Sequence, residues 1–127
     1  MMKKIINSHK APAPIGPYSQ AVNSGNTLYV SGQIPIDQST GNLKEGSIEE
    51  ETDQVMKNIG YILEEAGLTF ENVLKCSIFV SDIGNFARIN EIYGKYFTVN
   101  PPARETVEVS GLPKGVNVEI SCIAQFF

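Results

Sequence analysis

The sequence predicts one α+β domain, residues 1–127, in which two helices cover one face of a mixed β-sheet. Three observations carry that prediction. Two segments repeat their apolar residues at the 3.6-residue period of a half-buried helix. Others alternate apolar and polar residues at the period of a strand. The 127 residues, 42% hydrophobic and 19% charged, suit a single core, with no repeat or low-complexity segment to split them.

Residues 11–18, Ala-Pro-Ala-Pro-Ile-Gly-Pro-Tyr, cannot form a ladder, because their three prolines lack donors and fix φ. They read as an ordered loop that presents Tyr18. Ala21-Val22 and Thr27–Gln33 read as strands joined by the turn Asn23-Ser24-Gly25-Asn26. Gly32 ends the second run at a point where backbone can approach a neighbouring group. Asp37–Gly41 is a turn cluster. Ser47 and Glu50 have capping-box spacing. The helix they open carries Val55, Ile59, Ile62, Leu63 and Ala66 on one stripe, and Gly67 is placed to end it with a positive φ.

Leu74–Val80 alternates as a strand, with Leu74, Cys76, Ile78 and Val80 on one face. Asp82 is a cap for a second helix whose stripe is Phe86, Ile89, Tyr93 and Phe97, and Pro101-Pro102 forbids its continuation. Arg104, Thr106 and Glu108 then alternate with Glu105, Val107 and Val109. After the turn Leu112–Gly115, the residues Val116, Val118, Ile120, Cys122, Ala124 and Phe126 form an apolar face. Glu119, Ser121, Ile123, Gln125 and Phe127 lie on its reverse. That second sheet face is mixed, and Tyr29, Phe79, Ile123 and Phe127 on it would be exposed in a monomer, as on a face that meets another subunit.

Scarce residues exclude several chemistries. The single histidine, His9, rules out a multi-His metal site and leaves a His-based triad to a near-terminal residue expected to be exposed. Cys76 and Cys122 match no zinc or CxxC spacing. They are expected as buried thiols, although one disulfide is arithmetically possible. No Gly-rich phosphate loop is present, so nothing suggests a nucleotide cofactor. A net charge of −4 opposes binding to a phosphate backbone. No apolar run approaches the about 20 residues of a membrane span, and no apolar segment follows the basic start at Lys3-Lys4, so no signal peptide and a cytoplasmic location are expected.

Four residues stand out chemically. Arg104, held by a Pro-Pro-Ala lead-in, either grips a carboxylate with both arms of its guanidinium or pairs on the surface with Glu105 or Glu108. Glu119 in mid-strand is a candidate general acid or base if burial raises its proton affinity; otherwise it is solvated or paired with a cation. Consecutive strands carry the two, which could place them close together. Tyr18 and Ser31 are hydroxyl candidates whose plainer roles are aromatic packing and a cross-strand bond. Without a paired His, Ser31 is no activated nucleophile.

These residues also carry a resemblance. Ala13-Pro14-Ile15-Gly16-Pro17-Tyr18-Ser19-Gln20-Ala21, Val30-Ser31-Gly32-Gln33-Ile34-Pro35, Pro102–Val109 and Leu112–Ile120 closely resemble the motifs of the Rid/YjgF family of reactive-intermediate deaminases, also called endoribonuclease L-PSP. Phe79-Val80-Ser81-Asp82 and Phe86-Ala87-Arg88-Ile89-Asn90 fit as well, so the likeness spans the chain. It implies a chorismate-mutase-like fold and a homotrimer whose sheets form an inner barrel, with ligand clefts between subunits. The implied activity is hydrolysis of small 2-imino and enamine acids to 2-keto acids and ammonia, without cofactor. Arg104 would bind the substrate carboxylate and Glu119 would activate the water. Tyr18, Ser31, Gly32, Thr106 and Asn90 would line the cleft. Thr106 stands where some members carry Cys, and Ser121 where some carry a second Glu. Two other readings remain: a single-stranded RNA endonuclease that inhibits translation, disfavoured by the charge, and a non-catalytic small-ligand binding module.

Overall fold

The structure, a computed structural model, describes residues 2–127. Its strands are β1 (Lys4–Ile6), β2 (Ala21–Ser24), β3 (Thr27–Gln33), β4 (Ile36–Asp37), β5 (Asn42–Leu43), β6 (Val73–Val80), β7 (Ala103–Glu108) and β8 (Val118–Gln125); its helices are α1 (Ile48–Glu65) and α2 (Phe86–Gly94). Six strands form one sheet in the order β1-β2-β3-β8-β6-β7, and β4 and β5 form a separate small hairpin. Every pairing in the large sheet is antiparallel except β6 with β7, whose parallel register requires the crossover that α2 supplies. The expected mixed sheet with two helices is therefore present.

Ser47 caps α1 as predicted, its Oγ accepting from the Glu50 N–H at 3.1 Å. Glu49, Glu50 and Glu51 in the first turn suit the positive end of the helix dipole. Gly67 follows with φ +80°, a conformation glycine adopts without strain. The stripe Val55, Met56, Ile59, Ile62 and Leu63 packs on Leu28, Val30, Ile78, Ile120 and Cys122 from the sheet. Four polar residues are buried in the same helix: Glu51, Thr52, Gln54 and Asn58. Asn58 Nδ2 donates to the carbonyls of Ile34 at 3.1 Å and Ile36 at 3.0 Å. Cys76 and Cys122 sit opposite each other on β6 and β8 as free, buried thiols. Burial pushes both thiols above their ordinary pKa.

The structure departs from the sequence reading in several places. The chain before the proline loop forms edge strand β1, and part of the Asp37–Gly41 turn closes the hairpin β4–β5. Leu74 is exposed and Val73 buried, because the β6–β8 register shifts between Val73 and Lys75 and moves Leu74 out of phase. Asp82 caps a 3₁₀ turn, its Oδ1 accepting from the Gly84 N–H at 2.8 Å, and α2 begins only at Phe86. The helix stops at Gly94, before the prolines. Phe97 still packs inward, its ring 4.8 Å from that of Tyr93. No helix among the described residues is long and apolar enough to cross a membrane.

Ile62 is fully buried between α1 and the sheet. Replacing it with Ala is expected to cost about 2–5 kcal/mol of unfolding free energy, read from the shift of a denaturant midpoint.

Candidate active site

The helix-free face of the sheet carries the first half of the candidate site. Val30 pairs with Cys122 and Gln33 with Ile120, so Ser31 and Gly32 together oppose Ser121 in a β-bulge. The bulge breaks the alternation of β3 where Glu119 approaches from β8. A Cβ built on Gly32 would lie 2.7 Å from Glu119 Cδ and 3.0 Å from its Cγ, a contact no larger residue could make without displacing the carboxylate. Here glycine leaves room for the carboxylate, and no positive φ calls for it.

The proline loop forms the facing wall. Gln20 anchors it: its Oε1 accepts from the Ser8 N–H at 2.7 Å, and its Nε2 donates to the carbonyls of Ser8 at 3.0 Å and Pro12 at 2.9 Å. Ser31 Oγ donates to the Ser19 carbonyl at 2.6 Å, so this hydroxyl ties the loop to β3 and has spent its proton there. Tyr18 Oη accepts from the Ile15 N–H at 3.2 Å. Ile15, Tyr18, Ser31, Gly32, Ile34, Pro113 and Glu119 enclose a cleft of 420 Å³. Tyr18 is 47% exposed, so it lines this cleft rather than packing in the core.

Glu119 is half-buried and pairs in register with Phe79. No ion pair or side-chain hydrogen bond holds its carboxylate among the described residues. Burial alone raises its pKa above the ordinary 4.5. An unpaired carboxyl of raised proton affinity in a cleft is suited to hold a water and to accept and return a proton.

Arg104 lies elsewhere. It pairs with Cys76 in the β6–β7 ladder and faces the helices, whereas Glu119 pairs with Phe79 on the opposite face. Their strands are consecutive in the chain, but that succession does not bring the two residues close within one chain: β6 runs between β7 and β8. The reason is the parallel crossover, which sends β7 to the far side of β6 and leaves β8 to close the centre. One chain does not bring Arg104 and Glu119 into a common cleft.

Arg104 is nevertheless well ordered for binding. Its Nη1 donates to Asn90 Oδ1 at 2.6 Å, and its guanidinium lies 5.4 Å from the Phe86 ring centre and 5.0 Å from that of Tyr93. Neither neighbouring acid pairs with it. Glu105 accepts from Ser77 and meets Lys75 Nζ at 3.2 Å, and Glu108 Oε1 accepts from the Ile83 N–H at 2.9 Å. The remaining guanidinium donors stay available for an anion. Thr106 Oγ1, two residues on and facing the same side, is buried without a hydrogen-bond partner. Asn90 is therefore a neighbour of Arg104 and not of Glu119.

Sequence reading missed Ile15, Ile34 and Pro113 as apolar walls. All three were present in the quoted motifs, but nothing in a linear pattern folds them onto Glu119. Among the described residues no group of three or more His, Cys, Asp and Glu could hold a metal ion. Tyr29 at 51% and Phe127 at 87% exposure lie bare, as expected, while Phe79 and Ile123 are partly covered.

Glu119 also yields a stability prediction. Its folded pKa is raised, so the folded state holds the proton more tightly than the unfolded chain. The cost of ionising it is absent below the unfolded pKa and complete above the folded one. Glu119→Gln removes that cost. Its melting temperature is expected to exceed that of the wild type near neutral pH, with the gain vanishing as pH falls below the unfolded value. An equal or lower melting temperature at neutral pH would refute this.

Comparison with known proteins agrees with the fold and the motifs. The family described as Endoribonuclease L-PSP matches residues 8–126. A RutC family protein of Pyrococcus abyssi is 50% identical over 124 residues, covering 98% of each chain. A 2-iminobutanoate/2-iminopropanoate deaminase of Rattus norvegicus is 49% identical over 124 residues, covering 98% of this chain and 90% of the rat protein. The crystal structure of YyfA, a Rid-family protein of unknown function from Yersinia pestis, superposes with a TM-score of 0.96 at 49% identity, covering 98% of this chain and 100% of that one. Length, motifs and fold agree from end to end, and the chain belongs to the endoribonuclease L-PSP family, which includes the Rid and RutC proteins.

Proposed function

We propose that the protein hydrolyses small 2-imino acids, such as 2-iminobutanoate and 2-iminopropanoate, and their enamine tautomers. Water adds to the C=N carbon, the C–N bond breaks, and a 2-keto acid and ammonia leave. The observation that carries this reading is the unpaired Glu119 carboxyl, raised in proton affinity and seated in a walled cleft. The likeness to the rat deaminase supports the same chemistry.

The roles follow from the side chains. Glu119 orients a water and takes its proton as the oxygen attacks, then returns it to the departing nitrogen. An imine is electrophilic already, so no activated nucleophile is required. Arg104 grips the substrate carboxylate through the planar fork that Lys lacks, with Asn90 and the two aromatic rings fixing its plane. Tyr18 and the Ser31–Gly32 bulge close the cleft, and Thr106 offers its free hydroxyl beside Arg104.

Because Arg104 and Glu119 occupy opposite faces of one sheet, the reading places them in a shared cleft only between two copies. A homotrimer that buries Tyr29, Ile123 and Phe127 on its inner face would bring Arg104 of one copy to Glu119 of the next. A net charge of −4 counts against the RNA cleavage that the family description names.

The test is keto-acid release from imine generated in the cuvette by a dehydratase acting on threonine or serine. The wild type should accelerate release, and Glu119→Gln should lower kcat by about 10²–10⁴-fold. Arg104→Ala should reduce kcat/KM by about 30-fold or more, as expected for truncating a charge-paired contact worth at least 2 kcal/mol. A mixture of Arg104→Ala and Glu119→Gln chains, refolded together, should regain activity that neither has alone. Wild-type turnover no faster than the blank would sink the proposal. Cleavage of single-stranded RNA that survives Arg104→Ala would favour the nuclease instead.

A further inference from the structure

Glu51 is an expensive residue. It is 5% exposed, and no cation pairs with it among the described residues. A buried carboxylate is costly unless its oxygens are satisfied. Both of its oxygens go to one residue: Oε1 accepts from the Asn117 backbone N–H at 3.0 Å, and Oε2 accepts from Asn117 Nδ2 at 2.7 Å. The start of α1 lends partial positive charge as well.

Asn117 is gripped from its other side too. Its carbonyl accepts from the Ser81 N–H at 3.2 Å, and its Oδ1 accepts from Ser81 Oγ at 2.8 Å. Backbone and side chain are thus clamped between α1 and the end of β6. Only Val118, fully buried, separates Asn117 from Glu119. On the upstream side the chain turns through Lys114 at φ +57° and Gly115 at φ +68°, and Pro113 lines the cleft. The clamp therefore fixes both the entry of β8 and the end of the turn that walls Glu119.

The same helix face holds the opposite wall. Glu51 and Asn58 are seven positions apart on α1, two turns along one stripe. Asn58 grips the carbonyls of Ile34 and Ile36, just past the Ser31–Gly32 bulge. One face of α1 thus holds both sides of the gap between Gly32 and Glu119, where an added Cβ would displace the carboxylate. An apolar contact would hold α1 on the sheet at less cost. What the carboxylate adds is direction at the residue that leads into Glu119.

We propose that Glu51 is a positioning residue for Glu119, acting through Asn117. The proposal rests on the reading of Glu119 as the water-activating group. Within one chain Arg104 bonds Asn90 and no member of the clamp, so losing the clamp disturbs the seat of Glu119 and not the guanidinium. The groups around the Glu119 carboxyl are Tyr18 from the loop, Ser31 and Gly32 from β3, Ile34, and Pro113 from the turn. Of these only Tyr18 titrates. Freed from its seat against Gly32, Glu119 becomes better hydrated, and its pKa falls toward the ordinary glutamate value.

The experiment compares wild type, Asn117→Ala, Glu51→Gln and Thr52→Ala. Glu51→Gln keeps one accepting oxygen but turns an N–H toward Asn117 Nδ2. Thr52→Ala is the control: it removes a buried hydroxyl bonded to the Ile48 carbonyl at 2.7 Å, on the same helix but away from Asn117. Imine turnover and the ¹³C titration of the Glu119 carboxyl are both measured. In Asn117→Ala and Glu51→Gln, kcat should fall by about 10- to 100-fold with KM changed by less than about threefold, and the Glu119 pKa should drop. Thr52→Ala should lower the unfolding midpoint and change neither readout. Wild-type kcat and titration in the clamp variants, or the same losses in Thr52→Ala, overturn the proposal. If the wild type hydrolyses no imine, the reaction reading fails, and the titration alone decides whether Glu51 sets the environment of Glu119. If Asn117→Ala does not fold, Glu51→Gln decides.

Discussion

A missing methyl group organises the open face of this sheet. At Gly32 the β3 backbone comes so close to Glu119 that a Cβ there would displace its carboxylate, and the bulge at Ser31–Gly32 is what brings it there. Much else serves that contact. Ser31 gives its hydroxyl proton to the proline loop, the loop carries Tyr18, and Gln20 fastens the loop to the N-terminal segment. The carboxylate is thereby half-removed from water without being given a counter-charge. That is a poor choice for stability and a useful one for moving protons, and proteins tolerate it where function requires it.

The helix-covered face is organised by the opposite logic. Arg104 is charged whatever its surroundings, so it is flanked by rings and an amide that steer it rather than tune it. The parallel crossover through α2 puts it on that face and puts β6 between it and Glu119. The two groups of the proposed reaction are thus held by independent scaffolds. Within one chain they cannot neutralise each other, because β6 lies between their strands.

The elements of this fold were largely legible in the sequence, and their neighbours were not. Capping chemistry and apolar period located α1 and its glycine stop, and alternation located β3, β6 and β8, because these signals are local. Leu74 failed because one inserted residue shifts the phase of a strand, and the inserted residue carries no mark of its own. Arg104 and Glu119 stood out as residues, but their distance apart did not, since strand order is decided by a crossover and not by succession along the chain. Glu51 and Asn58 left a faint trace: they are polar residues in the buried phase of an otherwise apolar stripe. Such an interruption marks a buried polar group that needs a partner, yet only the folded chain reveals Asn117 and the Ile34 carbonyl as those partners.

The position of β8 has a consequence for how the molecule is made. It is the last strand in chain order and one of the two central strands of the sheet, with β3 on one side and β6 on the other. The β1-β2-β3 meander and the β6–α2–β7 unit have no ladder between them until it arrives. A nascent chain thus emerges as two fragments with unpaired edges, and the core beneath α1 closes only after translation has passed residue 118. Long-range pairing of this kind is slow to form and exposes apolar edges while it waits. The residue that carries the proposed chemistry is therefore delivered by the same stroke that completes the fold, so that no partly built form of the chain holds its carboxylate in place.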